Sequence, residues 1–357
     1  MNKISEEINK INQQGDGAFI PYLMAGDPTP KKSLDYIRAL EAGGADLIEL
    51  GVPFSDPVAD GPTIQAAGNR ALKSTDRLED VFNIVRKAGQ EVEIPIILMS
   101  YYNPITQFGE ANFLKECRKT GTGGVILPDL PPEEGDGFIN SAKDNTVGTP
   151  MLVTPDTDEE RVKEIAGKAT GFLYLVSRPG TTGVKNEVGE VTTKAIERVK
   201  PQVSEELPVC VGFGLSKPDQ VEQVIQAGAD GAIVGSAIVE RVKSGDEPEE
   251  VKEFVYEQSD EIKPDFYGYY ADYDWVVFCW LFGYMKNLPV GFPMYCNDLK
   301  QRLEEEDNLF MSRIDSDSDF TSIKQHDNFP KQFNEHLAIE DARWNKKLSE
   351  FLDNITR

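Results

Sequence analysis

The amino-acid sequence predicts an α/β fold, a closed (β/α)₈ (TIM) barrel, over residues 1–261 of a 357-residue chain. Eight short runs rich in Val, Ile and Leu recur through this part, and most are followed by an amphipathic stretch of about 10–15 residues. Eight such units in about 250 residues match the size and repeat number of a closed barrel. The candidate strands are residues 18–26, 45–51, 94–100, 123–129, 149–155, 171–177, 208–214 and 231–236.

A doubly wound parallel sheet is the alternative architecture for alternating strands and helices. Apolar and polar residues do not strictly alternate in these runs. This is typical of strands covered on both faces, which occur in either fold. A doubly wound sheet seldom reaches eight regular units without a dinucleotide fingerprint, and no GxGxxG follows the first run. The sequence therefore favours the barrel.

The composition changes near residue 261, which predicts a second segment, 262–357. Every Trp and His of the chain lies beyond residue 274, namely Trp275, Trp280, Trp344, His326 and His336. The net charge of -24 argues against a nucleic-acid backbone or an anionic membrane surface as the main partner. The N-terminus lacks the apolar core of a signal peptide, and the widely spaced cysteines form no CxxC pair. We expect a cytoplasmic protein without a metal site.

Acidic residues follow the second candidate strand, in ELGVPFSDPVADGPTIQ (49–65). Glu49 lies within an apolar run, so burial should raise its proton affinity and suit it to general acid–base catalysis. A buried salt-bridge partner is an equally good explanation of Glu49. Asp56 and Asp60 lie on a proline-punctuated loop; turn capping is favoured for Asp56, and a functional role for Asp60.

Glycines after the last two strands predict a phosphate site. GFGLS (212–216) follows strand 7, and GSAIVERV (235–242) begins a helix after strand 8. Backbone N–H groups at such positions bind dianions, and barrels hold phosphate there. Simple turn and cap chemistry is the alternative. The glycine-rich segment SRPGTTGVKNEVGEVT (177–192) predicts a mobile lid or, alternatively, an ordinary surface loop.

Ordered motifs give residues 1–260 a resemblance to the tryptophan synthase alpha chain family. They are PYLMAGDP (21–28), LIELGVPFSDPVADGPTIQ (47–65), SRPGTTG (177–183), GFGLSKPDQV (212–221) and GAIVGSAIV (231–239). The resemblance implies a lyase that cleaves indole-3-glycerol phosphate to indole and glyceraldehyde 3-phosphate by a retro-aldol reaction, without a cofactor.

The same resemblance implies a role for particular residues. Glu49 moves protons and Asp60 accepts the indole N1–H bond. Phosphate contacts fall on Gly183, Gly212, Phe213, Gly214, Gly235 and Ser236, and the indole pocket on Tyr22, Tyr102, Leu127 and Tyr174. Arg178 and Thr182 belong to the lid, which Thr182 closes toward Asp60. A tryptophan synthase beta chain, in an alpha2beta2 assembly, would face Pro53, Asp56 and residues 102–104.

The segment 262–357 resembles the later part of a DEDD-type 3′–5′ exoribonuclease, a partial RNase H-like fragment. Asp274, His336 and Asp341 match its later motifs, whereas the Asp-x-Glu strand is missing. Two-metal catalysis needs several carboxylates, so we expect no nuclease activity from this segment. Two other functions remain as alternatives. One is a non-catalytic barrel subunit that only activates a beta chain, and the other is a metal-dependent 3′–5′ exoribonuclease with an appended barrel.

Overall fold

The computed structural model describes residues 2–177, 190–212 and 214–260 together with two short strands of the C-terminal segment. The chain divides into two compact units, Met1–Lys263 and Pro264–Arg357. In the second unit, β9 (Tyr267–Gly268) and β10 (Asn297–Asp298) pair in parallel. The exoribonuclease resemblance of this unit stays a prediction, since Asp274, His336 and Asp341 lie outside the described residues.

Eight parallel strands form the sheet of the first unit, each within one of the eight predicted runs. They are β1 (Ala18–Met24), β2 (Ile48–Gly51), β3 (Ile96–Met99), β4 (Gly124–Ile126), β5 (Met151–Val153), β6 (Leu173–Val176), β7 (Val209–Gly212) and β8 (Gly231–Val234). The order β4-β3-β2-β1-β8-β7-β6-β5 places every strand beside its neighbours in sequence. A parallel bridge between Gly124 and Gly148 joins the two ends of this order. The predicted barrel is confirmed, and the doubly wound alternative is excluded.

Helices follow the strands and cover the outside of the barrel. In the described part they are α1 (Lys3–Asn12), α2 (Pro30–Ala42), α3 (Pro62–Ala71), α4 (Leu78–Ala88), α5 (Tyr102–Phe108), α6 (Glu110–Thr120), α7 (Asp136–Asp144), α8 (Glu159–Lys168), α9 (Glu190–Val199), α10 (Pro218–Gln226), α11 (Ser236–Ser244) and α12 (Pro248–Asp260). Several start in a recognisable way: the Thr29 side chain caps α2, and proline opens α3 and α10. No helix among the described residues is both long and apolar enough to cross a membrane.

The hydrophobic core has two layers because the side chains of each strand alternate between the two faces of the sheet. On β1, Phe19 and Leu23 pack against the helices, while Ile20, Tyr22 and Met24 point into the barrel. Both faces are fully buried, which explains why the strand sequences show no polar alternation.

Helix α1 closes the N-terminal end of the barrel. Its Ile4 and Ile8 side chains are completely buried in the inner layer. The Ile4 side chain approaches Gly124 and Gly171 so closely that a Cβ at Gly124 would lie 2.6 Å from it. The opposite end of the barrel, at the C-terminal ends of the strands, stays open for an active site.

Candidate active site

Glu49 occupies a position of the inner layer where every neighbouring strand carries an apolar or aromatic side chain. It is in register with Tyr22 of β1 and Ile97 of β3. Its side chain is 1% exposed, and its Oε2 atom has no hydrogen-bond partner among the described residues. No described Lys, Arg or His forms an ion pair with it, so this part of the chain gives no support to the salt-bridge explanation.

Burial, helped by the charge of Asp60, raises the pKa of Glu49 to about 8. Desolvation disfavours the charged form of a carboxyl group, and a nearby negative charge acts in the same direction. Glu49 is therefore mainly protonated at neutral pH. A protonated carboxyl group that ionises just above neutrality can both deliver and recover a proton.

Asp60 lies on the loop between β2 and α3 and is only half-buried. Burial raises its pKa to about 6, while a hydrogen bond with the Tyr101 hydroxyl opposes that rise. Tyr101 is itself held in place, since its Oη accepts a hydrogen bond from the backbone N–H of Ala59 at 2.9 Å. Asp60 is therefore mainly ionised at the pH at which Glu49 is mainly protonated. Two carboxyl groups whose environments separate their pKa values in this way are suited to different roles.

Helix α3 fixes the backbone that carries Asp60. The Gln65 side chain donates to the carbonyl oxygen of Asp60 at 2.9 Å. At the other end of α3, Arg70 makes two hydrogen bonds to Asp27, from Nε to Oδ1 at 2.8 Å and from Nη2 to Oδ2 at 2.6 Å. Asp27 follows β1 and is 1% exposed, so this paired contact fastens α3 to the barrel.

A cavity joins the two acids to the glycine-rich strand ends. Its walls are mainly apolar and aromatic, and its polar groups are few. The lining residues are Tyr22, Glu49, Asp60, Ile64, Met99, Tyr174, Gly214, Ile233, Gly235 and Ser236. Within the described ranges, no group of three or more His, Cys, Asp or Glu side chains is arranged to hold a metal ion.

One end of the cavity offers backbone donors. Gly235 precedes α11, and no side chain caps the first turn of that helix, which leaves N–H groups for an anion. Gly214 has a φ of 92°, a conformation that favours glycine. The absence of a side chain at Gly212 is also required by packing, because a Cβ there would lie 2.4 Å from the Tyr174 hydroxyl. Gly212 makes room for Tyr174 in the wall of the cavity.

The structure brings together many of the predicted site residues but not all of them. Tyr102 does not line the cavity: its hydroxyl donates to Glu110 at 2.7 Å, and its ring packs edge-on against Phe138. Leu127 packs against the outer layer of the core. The other predicted site residues lie outside the described part of the chain, namely Arg178, Thr182, Gly183 and Phe213.

Tyr101 was missed by the sequence reasoning, although a signal for it existed. Ile97 and Met99 of β3 point into the barrel, so the same alternation directs residue 101 inward and residue 102 outward. Met99, Ile64 and Ile233 were also missed. They are apolar side chains like many others of the core, and only the closed barrel shows which of them reach the cavity.

The family model described as tryptophan synthase alpha chain matches residues 8–265. The alpha chain of Synechocystis sp. is 46% identical over 245 residues, which cover 69% of this chain and 92% of that one. The alpha chain of Methanosarcina acetivorans is 44% identical over 243 residues, covering 68% and 87%.

Solved structures give the same result. A tryptophan synthase structure from M. tuberculosis in an open form has a TM-score of 0.66 at 30% identity, and the match covers 73% of this chain and 98% of that one. A mutant tryptophan synthase alpha-subunit from Pyrococcus furiosus has a TM-score of 0.63 at 40% identity, covering 68% and 98%.

We predict that Glu49→Gln makes the barrel more stable than the wild type as the pH rises. The folded wild type keeps the Glu49 proton up to about pH 8, whereas the unfolded chain releases it near the ordinary value of 4.5. The fold therefore loses stability between these values, by on the order of a few kcal/mol. Urea unfolding of both proteins at several pH values measures the difference.

The expected difference in unfolding free energy grows from about pH 5 to pH 8 and then levels off. Glu79→Gln, which removes an exposed acid of α4, is the matched control for the loss of one carboxyl group. If the difference in unfolding free energy between Glu49→Gln and the wild type does not change with pH, Glu49 is not a buried, protonated group.

Proposed function

This chain belongs to the tryptophan synthase alpha chain family and is a lyase of tryptophan biosynthesis, and we propose how its two acids act. Glu49 and Asp60 catalyse the retro-aldol cleavage of indole-3-glycerol phosphate to indole and glyceraldehyde 3-phosphate. The observation that carries this proposal is that both carboxyl groups line one cavity, Glu49 fully buried and Asp60 half-buried. This difference in burial agrees with a pKa of about 8 for Glu49 and about 6 for Asp60.

Glu49 acts first as an acid and then as a base. Its proton goes to C3 of the indole ring, which gives an indolenine cation. The carboxylate then takes the proton of the C3′ hydroxyl while the C3–C3′ bond breaks. The electron pair of that bond returns to the ring, the C3′ carbon becomes the aldehyde, and Glu49 recovers its proton. A group that is protonated at neutral pH but ionises near pH 8 is suited to both steps.

Asp60 stabilises the charge that develops on the ring. In its ionised form it accepts a hydrogen bond from the indole N1–H, and this bond strengthens as the ring nitrogen becomes positive. The Tyr101 hydroxyl and the Gln65 amide keep Asp60 oriented before substrate binds. A carboxylate held in advance needs no reorganisation during the reaction.

The glycine end of the cavity receives the phosphate group. Gly214, Gly235 and Ser236 line it, and the N-terminus of α11 favours a dianion. We include Gly183, Gly212 and Phe213 on the resemblance, together with a lid that contains Arg178 and Thr182. The indole ring then lies at the acid end, against the walls that Ile64, Met99 and Tyr174 provide.

A tryptophan synthase beta chain is the proposed partner, in an alpha2beta2 assembly in the cytoplasm. Support comes from the loop that carries Asp60: Val58 on this loop is 83% exposed, more than any other large apolar side chain in the described part of the chain. Phe54 of the same loop packs on Tyr101, with ring centroids 5.4 Å apart. A partner that contacts Pro53, Asp56 and residues 102–104 would therefore also influence the Tyr101–Asp60 contact.

The two alternative functions have less support. A silent scaffold has no need for two carboxyl groups with separated pKa values in one cavity. For the C-terminal segment we propose no chemistry of its own. It retains matches only to the later exoribonuclease motifs, at Asp274, His336 and Asp341, and has no Asp-x-Glu strand before them.

We predict that Glu49→Gln lowers the turnover of indole-3-glycerol phosphate by at least about a hundredfold, since it removes the group that moves both protons. Asp60→Asn should lower it by a similar factor, because it removes the charge that faces the ring nitrogen. Indole release is measured with the chain alone and with a beta chain. Glu79→Gln is the control and should keep wild-type turnover.

If the wild type releases no indole, either alone or with a beta chain, the proposed lyase reaction is refuted. Wild-type turnover in Glu49→Gln would refute the role of Glu49 alone.

We predict that deletion of residues 262–357 leaves indole release within about twofold of the full chain. The reason is that every described residue of the cavity precedes that segment. The full chain should release no 3′ nucleotides from RNA with Mg²⁺ or Mn²⁺. Loss of barrel activity on deletion, or metal-dependent nucleotide release, would show that the segment has a function.

A further inference from the structure

The hydroxyl group of Tyr22 is buried and has only a weak acceptor among the described residues. The side chain is 5% exposed and lines the cavity. In the described part of the chain, its one hydrogen-bond partner is the Met24 sulfur at 4.0 Å. A thioether is a weak acceptor, and the hydroxyl of a buried tyrosine normally finds a stronger one.

The Tyr22 ring extends between the two ends of the cavity. Near its Cβ it contacts Gly235, where a Cβ would lie 3.4 Å away, and Gly235 belongs to the phosphate end. Its hydroxyl reaches Gly51, where a Cβ would lie only 2.0 Å from Oη. Gly51 follows Glu49 by two residues and therefore belongs to the same inward row of β2. The Tyr22 hydroxyl thus lies one layer above the Glu49 carboxyl group, on the side of the open end of the barrel.

We propose that Tyr22 binds the glycerol chain of the substrate by donating a hydrogen bond to its C2′ hydroxyl. The inference rests on the proposed cleavage of indole-3-glycerol phosphate. A substrate with its phosphate at Gly235 and its ring at Asp60 must lay its three-carbon chain across the Tyr22 ring. The C3′ hydroxyl has to reach Glu49, so the layer above Glu49 receives the next hydroxyl along the chain.

The chemistry of the hydroxyl fits this role. Burial, with the negative charges of Asp60 and Glu49, raises the pKa of Tyr22 well above its ordinary value. The group remains a neutral O–H donor throughout the working pH range of the two acids. Tyr22 is consequently a residue that fixes the conformation of the chain, and with it the approach of the C3′ hydroxyl to Glu49.

The test compares the substrate with an analogue that lacks the chain hydroxyls. Tyr22→Phe removes one oxygen atom and keeps the ring. We expect kcat/KM for indole-3-glycerol phosphate to fall about tenfold, the size of one good hydrogen bond. The Kd of indole-3-propanol phosphate should change less than twofold, because it has the ring and the phosphate but no chain hydroxyl. In the reverse reaction, the KM for glyceraldehyde 3-phosphate should rise while that for indole does not.

Tyr36→Phe is the matched control, because the Tyr36 side chain is also buried, but its hydroxyl donates to the Asp246 carbonyl at 2.7 Å, away from the cavity. This variant should keep the wild-type kcat/KM for the substrate and the wild-type Kd for the analogue. Equal weakening of substrate and analogue by Tyr22→Phe would overturn the proposal, since it would mean that the hydroxyl only supports the wall. Unchanged kinetics would overturn it too. Binding of the analogue shows that the Tyr22→Phe variant is folded. Indole release by the wild type shows that the lyase function holds even if the proposed role of Tyr22 is wrong.

Discussion

The burial of a carboxyl group at Glu49, without an ion-pair partner among the described residues, is the constraint on which the proposed site depends. Its neighbours in the inner layer are apolar or aromatic, and no described cation compensates a charge there. A charged carboxylate at this position would cost much free energy, so the group holds its proton. The large core on both sides of the sheet tolerates the buried group, and in the proposed mechanism the retained proton is the one that the reaction uses.

Asp60 and Glu49 are both carboxylic acids, but their surroundings differ. It lies on a loop, where water still reaches it and where Tyr101 stabilises its ionised form. The position of the loop depends on α3, which Gln65 joins to Asp60 and which the Arg70–Asp27 pair fastens to β1. A rigid strand thus carries the proposed proton donor, and an anchored loop carries the proposed charged acceptor. In the proposed reaction the substrate bridges the two, and Gly51 and Gly212 leave room for the Tyr22 and Tyr174 side chains that line the cavity.

Much of this arrangement could be predicted from local sequence. The eight strands were found because a strand buried on both faces is a short, continuous aliphatic run, and Glu49 interrupts one of them. The partners of Asp60 were harder to predict. Whether Tyr101 or Tyr102 faces inward depends on strand alternation continued past the end of β3, and the Arg70–Asp27 pair joins residues 43 positions apart in sequence. Contacts of that kind follow from the closure of the barrel, which no local pattern encodes.

Direct titration of the two carboxyl groups tests the account most directly. Carbon-13 NMR of carboxyl-labelled protein can follow both groups, with Glu49→Gln and Asp60→Asn used to assign the signals. The account predicts that near pH 7 Glu49 is mainly protonated and Asp60 mainly ionised, with midpoints of about 8 and about 6. A Glu49 that is ionised at pH 7, or that titrates below Asp60, would contradict it.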